Sequence, residues 1–102
     1  NVKSWVGLQS KQGCQQQHWH TDYDSSVPFS VLLVLEKDTF LNVHPAGAPA
    51  PMKLVMEPGD VLAFRGDLAH AGAAYPDKEN YRIHAYCDPV GFKRKPDTTY
   101  LV

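Results

Sequence analysis

The hydrophobic positions of this chain form short stretches, each followed by turn-forming or polar residues. The longest stretch, residues 31–35, is aliphatic at odd and even positions alike. Such a stretch is typical of a β-strand that is covered on both faces. Turn residues separate the stretches, most clearly at residues 58–60 and 65–67. The pattern predicts no helix and eight strands, at residues 4–9, 15–23, 29–35, 40–44, 53–56, 61–64, 69–75 and 81–87.

Eight short strands leave few ways to bury their apolar side chains. Their number and spacing predict an all-β fold in which two facing antiparallel sheets form a jelly roll, also called a double-stranded β-helix. Trp5 is expected to anchor the core because of its large apolar surface. The other expected core residues are aliphatic or aromatic side chains of the third, fifth and sixth strands, namely Val31, Leu33, Leu54, Leu62 and Phe64.

Composition places the chain among ordinary globular domains. Its 102 residues are 43% hydrophobic and 21% charged, with a formal net charge of −1, so the charge indicates neither a nucleic acid nor a membrane as partner. No apolar run is long enough to cross a bilayer, and we expect a soluble, intracellular protein. Residues 1–102 fit one domain, which we expect to be the core segment of a longer protein because the sequence begins at Asn1. Cys14 and Cys87 lack a CxxC spacing and are expected to be free thiols.

Possible metal ligands recur along the second predicted strand. Side chains alternate across a strand, so His18, His20, Asp22 and Asp24 fall on one side. An ionised carboxylate on a buried face is costly without a cation to balance it. His70 follows a Gly-Asp turn in the seventh strand, which lies beside the second strand in a jelly roll. The pattern therefore predicts a metal site that joins two distant parts of the chain.

The order of these residues resembles that of the Fe(II)- and 2-oxoglutarate-dependent dioxygenases. That family has a His-x-Asp pair, here His20 and Asp22, then a distant histidine, here His70, and finally an arginine, here Arg82 twelve positions later. The resemblance covers the whole chain, since the intervening segments match the strands of the family's double-stranded β-helix. It implies that the two histidines and the aspartate hold Fe(II) and leave one face of the metal open. It also implies that Arg82 binds the distal carboxylate of 2-oxoglutarate.

A second family shares part of the pattern. Metal-binding cupins begin with His-x-His followed by an acid, which here would be His18, His20 and Asp24, and again use His70. The chain departs from the cupin pattern at Arg65 and Asp67, where cupins usually have Pro and Gly. Arg82 favours the dioxygenase interpretation, because a cupin that does not use 2-oxoglutarate has no need of it.

The chain also departs from the dioxygenase pattern. Many members place Ser or Thr two residues after the arginine to share the carboxylate, and this chain has His84 there. The second arginine of the nucleic-acid demethylases is replaced by Asp88, which weakens a nucleic-acid repair interpretation. The second group that would hold the carboxylate is therefore not identified by the sequence.

The resemblance implies a particular reaction. Dioxygen and 2-oxoglutarate would react at the iron, with loss of CO₂ to give succinate and a ferryl oxidant that hydroxylates or demethylates an unidentified substrate. Two alternatives stay open at this point. One is a cupin-type metalloprotein that does not use 2-oxoglutarate, and the other is a catalytically silent binding domain.

Overall fold

The structure is a computed structural model that describes residues 2–93 and 100–102. Within these ranges the chain forms strands, turns and loops and no helix, as expected for an all-β fold. No helix that could cross a membrane therefore occurs among the residues described. The residues described form nine strands, which are β1 (Val2–Ser10), β2 (His20–Thr21), β3 (Phe29–Val34), β4 (Thr39–His44), β5 (Met52–Met56), β6 (Val61–Arg65), β7 (Ala69–Gly72), β8 (Asn80–Cys87) and β9 (Tyr100–Leu101).

The strands form two antiparallel sheets. One has the order β1-β8-β3-β6, and the other has the order β5-β4-β7-β2-β9. Strands β3 and β6 contribute to the same buried apolar cluster as β4 and β5, so the two sheets pack face to face. The predicted jelly roll is confirmed.

The face of β3 that points into the core is not the one that carries Val31 and Leu33, the residues expected there. Leu32 and Val34 are buried, whereas Val31 and Leu33 are only half-buried. Because the strand is aliphatic on both faces, its alternation carries no information about which face points inward. Phe64 is buried as expected, and Leu54 and Leu62 are partly buried against the cluster.

Trp5 is not a core residue. Its side chain is 57% exposed, so the expectation that it anchors the core was wrong. It lies on β1, which forms the edge of the four-stranded sheet, opposite Ala85 on β8. Side chains alternate between the two faces of a strand, and Trp5 lies on the face of β1 that points outward.

The second strand, predicted at residues 15–23, is much shorter in the structure. Only His20 and Thr21 pair as β2, with β7 on one side and β9 on the other. After Thr21 the backbone leaves the sheet, and the N–H of Tyr23 donates to the carbonyl of Gly66 at 2.9 Å. The ninth strand, β9, was not predicted, and β7 ends at Gly72 rather than at residue 75.

Both predicted turns form, and the second holds the loop that follows β2. Leu68 N–H donates to the carbonyl of Arg65 at 3.0 Å, which closes the turn before β7. A Cβ atom on Gly66 would lie 2.9 Å from the backbone oxygen of Ser25, so this close approach requires glycine. Gly66 N–H also donates to the carbonyl of Pro28 at 2.7 Å. The turn thus ties the segment after Asp22 to the strand that carries His70.

The two cysteines are free thiols, as expected. Cys14 and Cys87 are both free and half-buried. Cys14 forms an isolated bridge with Tyr75, so its surroundings come from the segment that follows β7.

The burial of β3 gives a first testable prediction. Val34→Ala should lower the free energy of unfolding by about 2 kcal/mol, because it deletes two methyl groups and leaves a cavity at a side chain that is 1% exposed. Val61→Ala is the matched control, since Val61 lies on neighbouring β6 and is 62% exposed. We expect that variant to change stability by less than about 0.5 kcal/mol. Urea unfolding followed by circular dichroism measures both, and equal losses would contradict the assigned orientation of β3.

Candidate metal centre

Two histidines meet across the pairing of β2 with β7. His20 and His70 are directly opposite each other in the register, and their ring centroids are 4.4 Å apart. His70 is buried and His20 is half-buried. The predicted adjacency of the second and seventh strands is therefore present, although β2 contains only two residues.

Backbone carbonyls fix the orientation of both imidazole rings. Nδ1 of His20 lies 2.8 Å from the carbonyl oxygen of His18, and Nδ1 of His70 lies 2.9 Å from that of Leu68. A carbonyl oxygen only accepts, so each Nδ1 carries the hydrogen in these contacts. This leaves Nε2 of each ring as the coordinating atom.

Asp22 completes a group of three possible ligands. Its Oδ1 lies 3.8 Å from Nε2 of His20 and 3.4 Å from Nε2 of His70. One ligand atom from each of the three residues lies within 4.8 Å of the other two. The carboxylate is buried, with a relative exposure of 4%.

This donor set fits a divalent transition metal. Burial of a carboxylate beside two imidazole nitrogens is costly unless positive charge lies close to it, and a divalent cation between the three atoms would supply that charge. Metal–ligand bonds of about 2.0–2.2 Å would satisfy all three atoms. Two imidazoles and one carboxylate on one side leave the remaining coordination positions open.

The second oxygen of Asp22 is held by other side chains. The hydroxyl of Ser30 on β3 donates to Oδ2 in a short hydrogen bond, and Nε2 of His84 on β8 lies 3.9 Å from the same oxygen. Ser30 is fully buried. These contacts hold Asp22 so that Oδ1 faces the two histidines.

Ser30 and His84 were not identified from the sequence as parts of the metal centre. The available signal was weak in both cases. Ser30 is a single polar residue inside an apolar strand, and His84 was noted only as a departure from the dioxygenase pattern.

The surrounding groups shift the pKa values of Asp22 and His70 in opposite directions. Burial alone would raise the pKa of Asp22, but the nearby imidazoles of His70 and His84, the charge of His70 and the hydrogen bond from Ser30 hold it well below its usual range. Burial alone would lower the pKa of His70, but its hydrogen bond and charge interaction with Asp22 raise it. The carboxylate is thus ionised at neutral pH, as a metal ligand must be.

Arg82 lines the same cavity as the three possible ligands. The cavity has a volume of about 310 Å³, and its wall also includes His84 and apolar side chains such as Leu32 and Phe64. Small-molecule sites usually measure roughly 300–1,000 Å³. The cavity is therefore large enough for a small ligand, and its wall includes both the three possible metal ligands and Arg82.

Neutral groups hold the guanidinium of Arg82. Nη1 donates to the side-chain oxygen of Asn80 at 2.8 Å, and Nη2 donates to the hydroxyl of Ser10 at 2.9 Å. The guanidinium carbon lies 5.7 Å from the centre of the Tyr75 ring. Asn80 is fully buried and donates in turn to the hydroxyl of Thr39 at 2.9 Å. Across residues 2–93 and 100–102 Arg82 forms no ion pair with an acidic side chain.

The histidine and the aspartate that flank this segment, His18 and Asp24, lie outside the group of three possible ligands. His18 and Asp24 are both exposed, and neither belongs to the group of ligand atoms. The predicted alternation did not extend to them, because regular strand geometry holds only for residues 20 and 21. His18 contributes through its backbone carbonyl, which the side-chain pattern could not indicate.

Comparison with known proteins gives the fold. No protein-family model matches the chain, and no curated protein sequence matches it. Solved structures do match, among them the capsular polysaccharide assembling protein CapF from Staphylococcus aureus, at 13% identity and a TM-score of 0.69. A cupin-like protein from Thermotoga maritima matches at 18% identity and a TM-score of 0.60. The non-heme monooxygenase ThoJ, solved as a nickel complex, matches at 16% identity and a TM-score of 0.68.

These matches cover nearly all of this chain and only part of the others. The CapF match covers 96% of this chain and 27% of the CapF chain. The Thermotoga match covers 96% of this chain and 62% of the other. The ThoJ match covers 98% of this chain and 49% of the ThoJ chain. At such low identity the similarity shows the fold alone. The protein has the cupin-like form of the double-stranded β-helix, with a candidate metal centre between β2 and β7.

The placement of Asp22 and His18 gives a second prediction. Asp22→Ala should weaken Fe(II) binding by more than roughly 100-fold, since even residues that only support a ligand are commonly worth 10–100-fold. His18→Ala should change the affinity by no more than about twofold, because the side chain is exposed and the contact to His20 comes from its backbone. Anaerobic calorimetric titration measures both affinities, with circular dichroism as a check on folding. The reverse order of effects would favour the cupin ligand set.

Proposed function

We propose that the protein is an Fe(II)- and 2-oxoglutarate-dependent oxygenase that hydroxylates or demethylates a substrate not yet identified. His20, Asp22 and His70 would hold the iron, and Arg82 would bind the distal carboxylate of 2-oxoglutarate. Bound together, Fe(II) and 2-oxoglutarate supply the oxidising chemistry that inserts one oxygen atom of dioxygen into a C–H bond, while the co-substrate is converted to succinate and CO₂.

One observation carries this proposal. A half-buried arginine with only neutral partners among the described residues lines the same cavity as the three possible metal ligands. A divalent ion, one carboxylate and one guanidinium leave two positive charges in that cavity. A dianion such as 2-oxoglutarate neutralises both, with one end at the metal and the other at the arginine.

The residues around the cavity have separate tasks in this proposal. The backbone carbonyls at His18 and Leu68 orient the imidazole rings, and Ser30 fixes Asp22. Asn80 and Ser10 keep the guanidinium in place before a ligand arrives, which lowers the cost of ordering it on binding. Apolar side chains such as Phe64 and Leu32 reduce the access of water, and this strengthens the charge interactions inside.

The fold comparison supports a metal-based function. ThoJ is a non-heme monooxygenase that was solved with nickel, and a protein of the same fold can therefore carry metal chemistry. His84 favours a second candidate function, a cupin-type metalloprotein that does not use 2-oxoglutarate. It brings a third imidazole within 3.9 Å of Asp22, and imidazole ligands suit several transition metals.

Replacement of Arg82 tests the proposed function. Arg82→Ala should weaken 2-oxoglutarate binding to the Fe(II)-loaded protein at least tenfold, because a charge-assisted bidentate contact contributes about 1.5–3 kcal/mol. Arg82→Lys should recover only part of the loss, since an ammonium supplies charge without the planar pair of donors. The affinity for Fe(II) should stay nearly unchanged in both variants. Anaerobic titration calorimetry measures both affinities.

Arg65→Ala is the matched control. Arg65 is exposed and pairs with Asp67 at 2.8 Å, outside the cavity, so its removal should leave 2-oxoglutarate binding unchanged. Failure of the wild-type protein to bind 2-oxoglutarate would overturn the proposal in favour of the cupin-type metalloprotein. Binding of 2-oxoglutarate without any succinate formation, tested with dioxygen present, would instead indicate a catalytically silent binding domain.

A further inference from the structure

The distal carboxylate of the proposed co-substrate can accept more hydrogen bonds than Arg82 supplies. An ionised carboxylate has about four acceptor positions, and a bidentate arginine occupies two of them. The position two residues after Arg82, where many of the dioxygenases that the chain resembles have a hydroxyl, holds His84. His84 does not point toward Arg82 for this purpose, because its Nε2 lies 3.9 Å from Asp22 on the metal side of the cavity. A second donor to the carboxylate must come from another strand.

Ser10 lies where such a donor is needed. It is the last residue of β1, and its register partner on β8 is Asn80. Its hydroxyl oxygen lies 2.9 Å from Nη2 of Arg82, and its side chain lines the same cavity. Strand β1 thus places a hydroxyl beside the guanidinium.

The hydrogen-bond directions leave the Ser10 hydrogen available. A guanidinium only donates, so the Ser10 oxygen accepts in its contact with Arg82. The hydroxyl hydrogen of Ser10 donates to no group among residues 2–93 and 100–102. A hydroxyl that accepts from a cation is polarised and becomes a better donor toward an anion.

The other hydroxyls near Arg82 are already committed. Tyr75 accepts from the N–H of Phe40 at 2.9 Å and donates to its carbonyl at 3.2 Å. Thr39 accepts from Asn80 and donates to the carbonyl of Glu36 at 2.9 Å. Of the three hydroxyls around the guanidinium, that of Ser10 is the one with an uncommitted hydrogen that borders the cavity.

We propose that Ser10 is a further binding residue of this cavity, which donates its hydroxyl hydrogen to the distal carboxylate of 2-oxoglutarate alongside Arg82. The inference rests on the proposed function, because it identifies the second group that holds the same co-substrate. In this arrangement the guanidinium binds the ligand and orients the hydroxyl, so one side chain of β8 and one of β1 act on the two carboxylate oxygens.

Substitution of Ser10 tests the inference in the metal-loaded protein. Ser10→Ala should weaken the binding of 2-oxoglutarate roughly tenfold, as expected for the loss of a hydrogen bond to a charged group. Ser10→Thr keeps the hydroxyl on a side chain that suits a strand, and should bind within about threefold of wild type, since it retains that donor. Ser26→Ala, an exposed serine outside the cavity, is the control and should bind as wild type.

A second ligand separates an effect at the distal carboxylate from a general structural effect. 2-Oxobutyrate keeps the keto-acid end of 2-oxoglutarate and lacks the distal carboxylate. Ser10→Ala should therefore bind 2-oxobutyrate and Fe(II) as tightly as wild type does, and lose affinity for 2-oxoglutarate alone. Anaerobic calorimetry with each ligand gives this comparison.

The outcomes distinguish this inference from the function on which it rests. Wild-type binding of 2-oxoglutarate that is weakened by Arg82→Ala and unaffected by Ser10→Ala would overturn the role of Ser10 and leave the proposed function standing. Equal losses for 2-oxoglutarate and 2-oxobutyrate in Ser10→Ala would also overturn it, because the effect would not involve the distal carboxylate. No binding of 2-oxoglutarate by wild type would overturn both.

Discussion

Two imidazole nitrogens and one buried carboxylate oxygen face one point in this protein, and burial of that carboxylate is costly unless positive charge, from a protonated imidazole or a bound cation, lies beside it. The pairing of His20 with His70 across β2 and β7 brings the nitrogens together. The fold supports this arrangement from several sides. Backbone carbonyls turn the rings, and Ser30 on the opposite sheet holds the carboxylate. The centre therefore depends on both sheets of the jelly roll being packed in their observed register.

The arginine end of the cavity follows a different principle. Arg82 is kept in place by an amide, a hydroxyl and an aromatic ring, none of which carries charge. Partners of this kind orient a cation without neutralising it, so the positive charge stays available to a ligand. The fully buried Asn80 and its partner Thr39 make this arrangement rigid. The three possible metal ligands and the arginine thus line one cavity with complementary chemistry.

The sequence predicted those properties that depend on patterns of many residues. Apolar stretches and turns gave the all-β jelly roll, and the order His20, Asp22, His70 and Arg82 gave four side chains that the structure brings to one cavity. It failed where one pattern allowed two answers, as for β3, whose two faces are both aliphatic. It also could not identify Ser10, Ser30 or the carbonyl of His18, because a single serine or a backbone oxygen has no periodic signal and acquires its role only through contacts between distant strands.

The short length of β2 has a consequence for the stability of the whole domain. Two residues provide few backbone hydrogen bonds, yet β2 carries His20 and directly precedes Asp22, so two of the three possible ligands depend on it. A metal held by Asp22 and His70 would act as a cross-link that closes a loop of roughly fifty residues, and such a link limits the conformations of the unfolded chain. In that case the ion would be a part of the fold as well as of the site. Chelation would then loosen the connection between β2 and β7 before it affected the apolar core formed by β3, β4, β5 and β6.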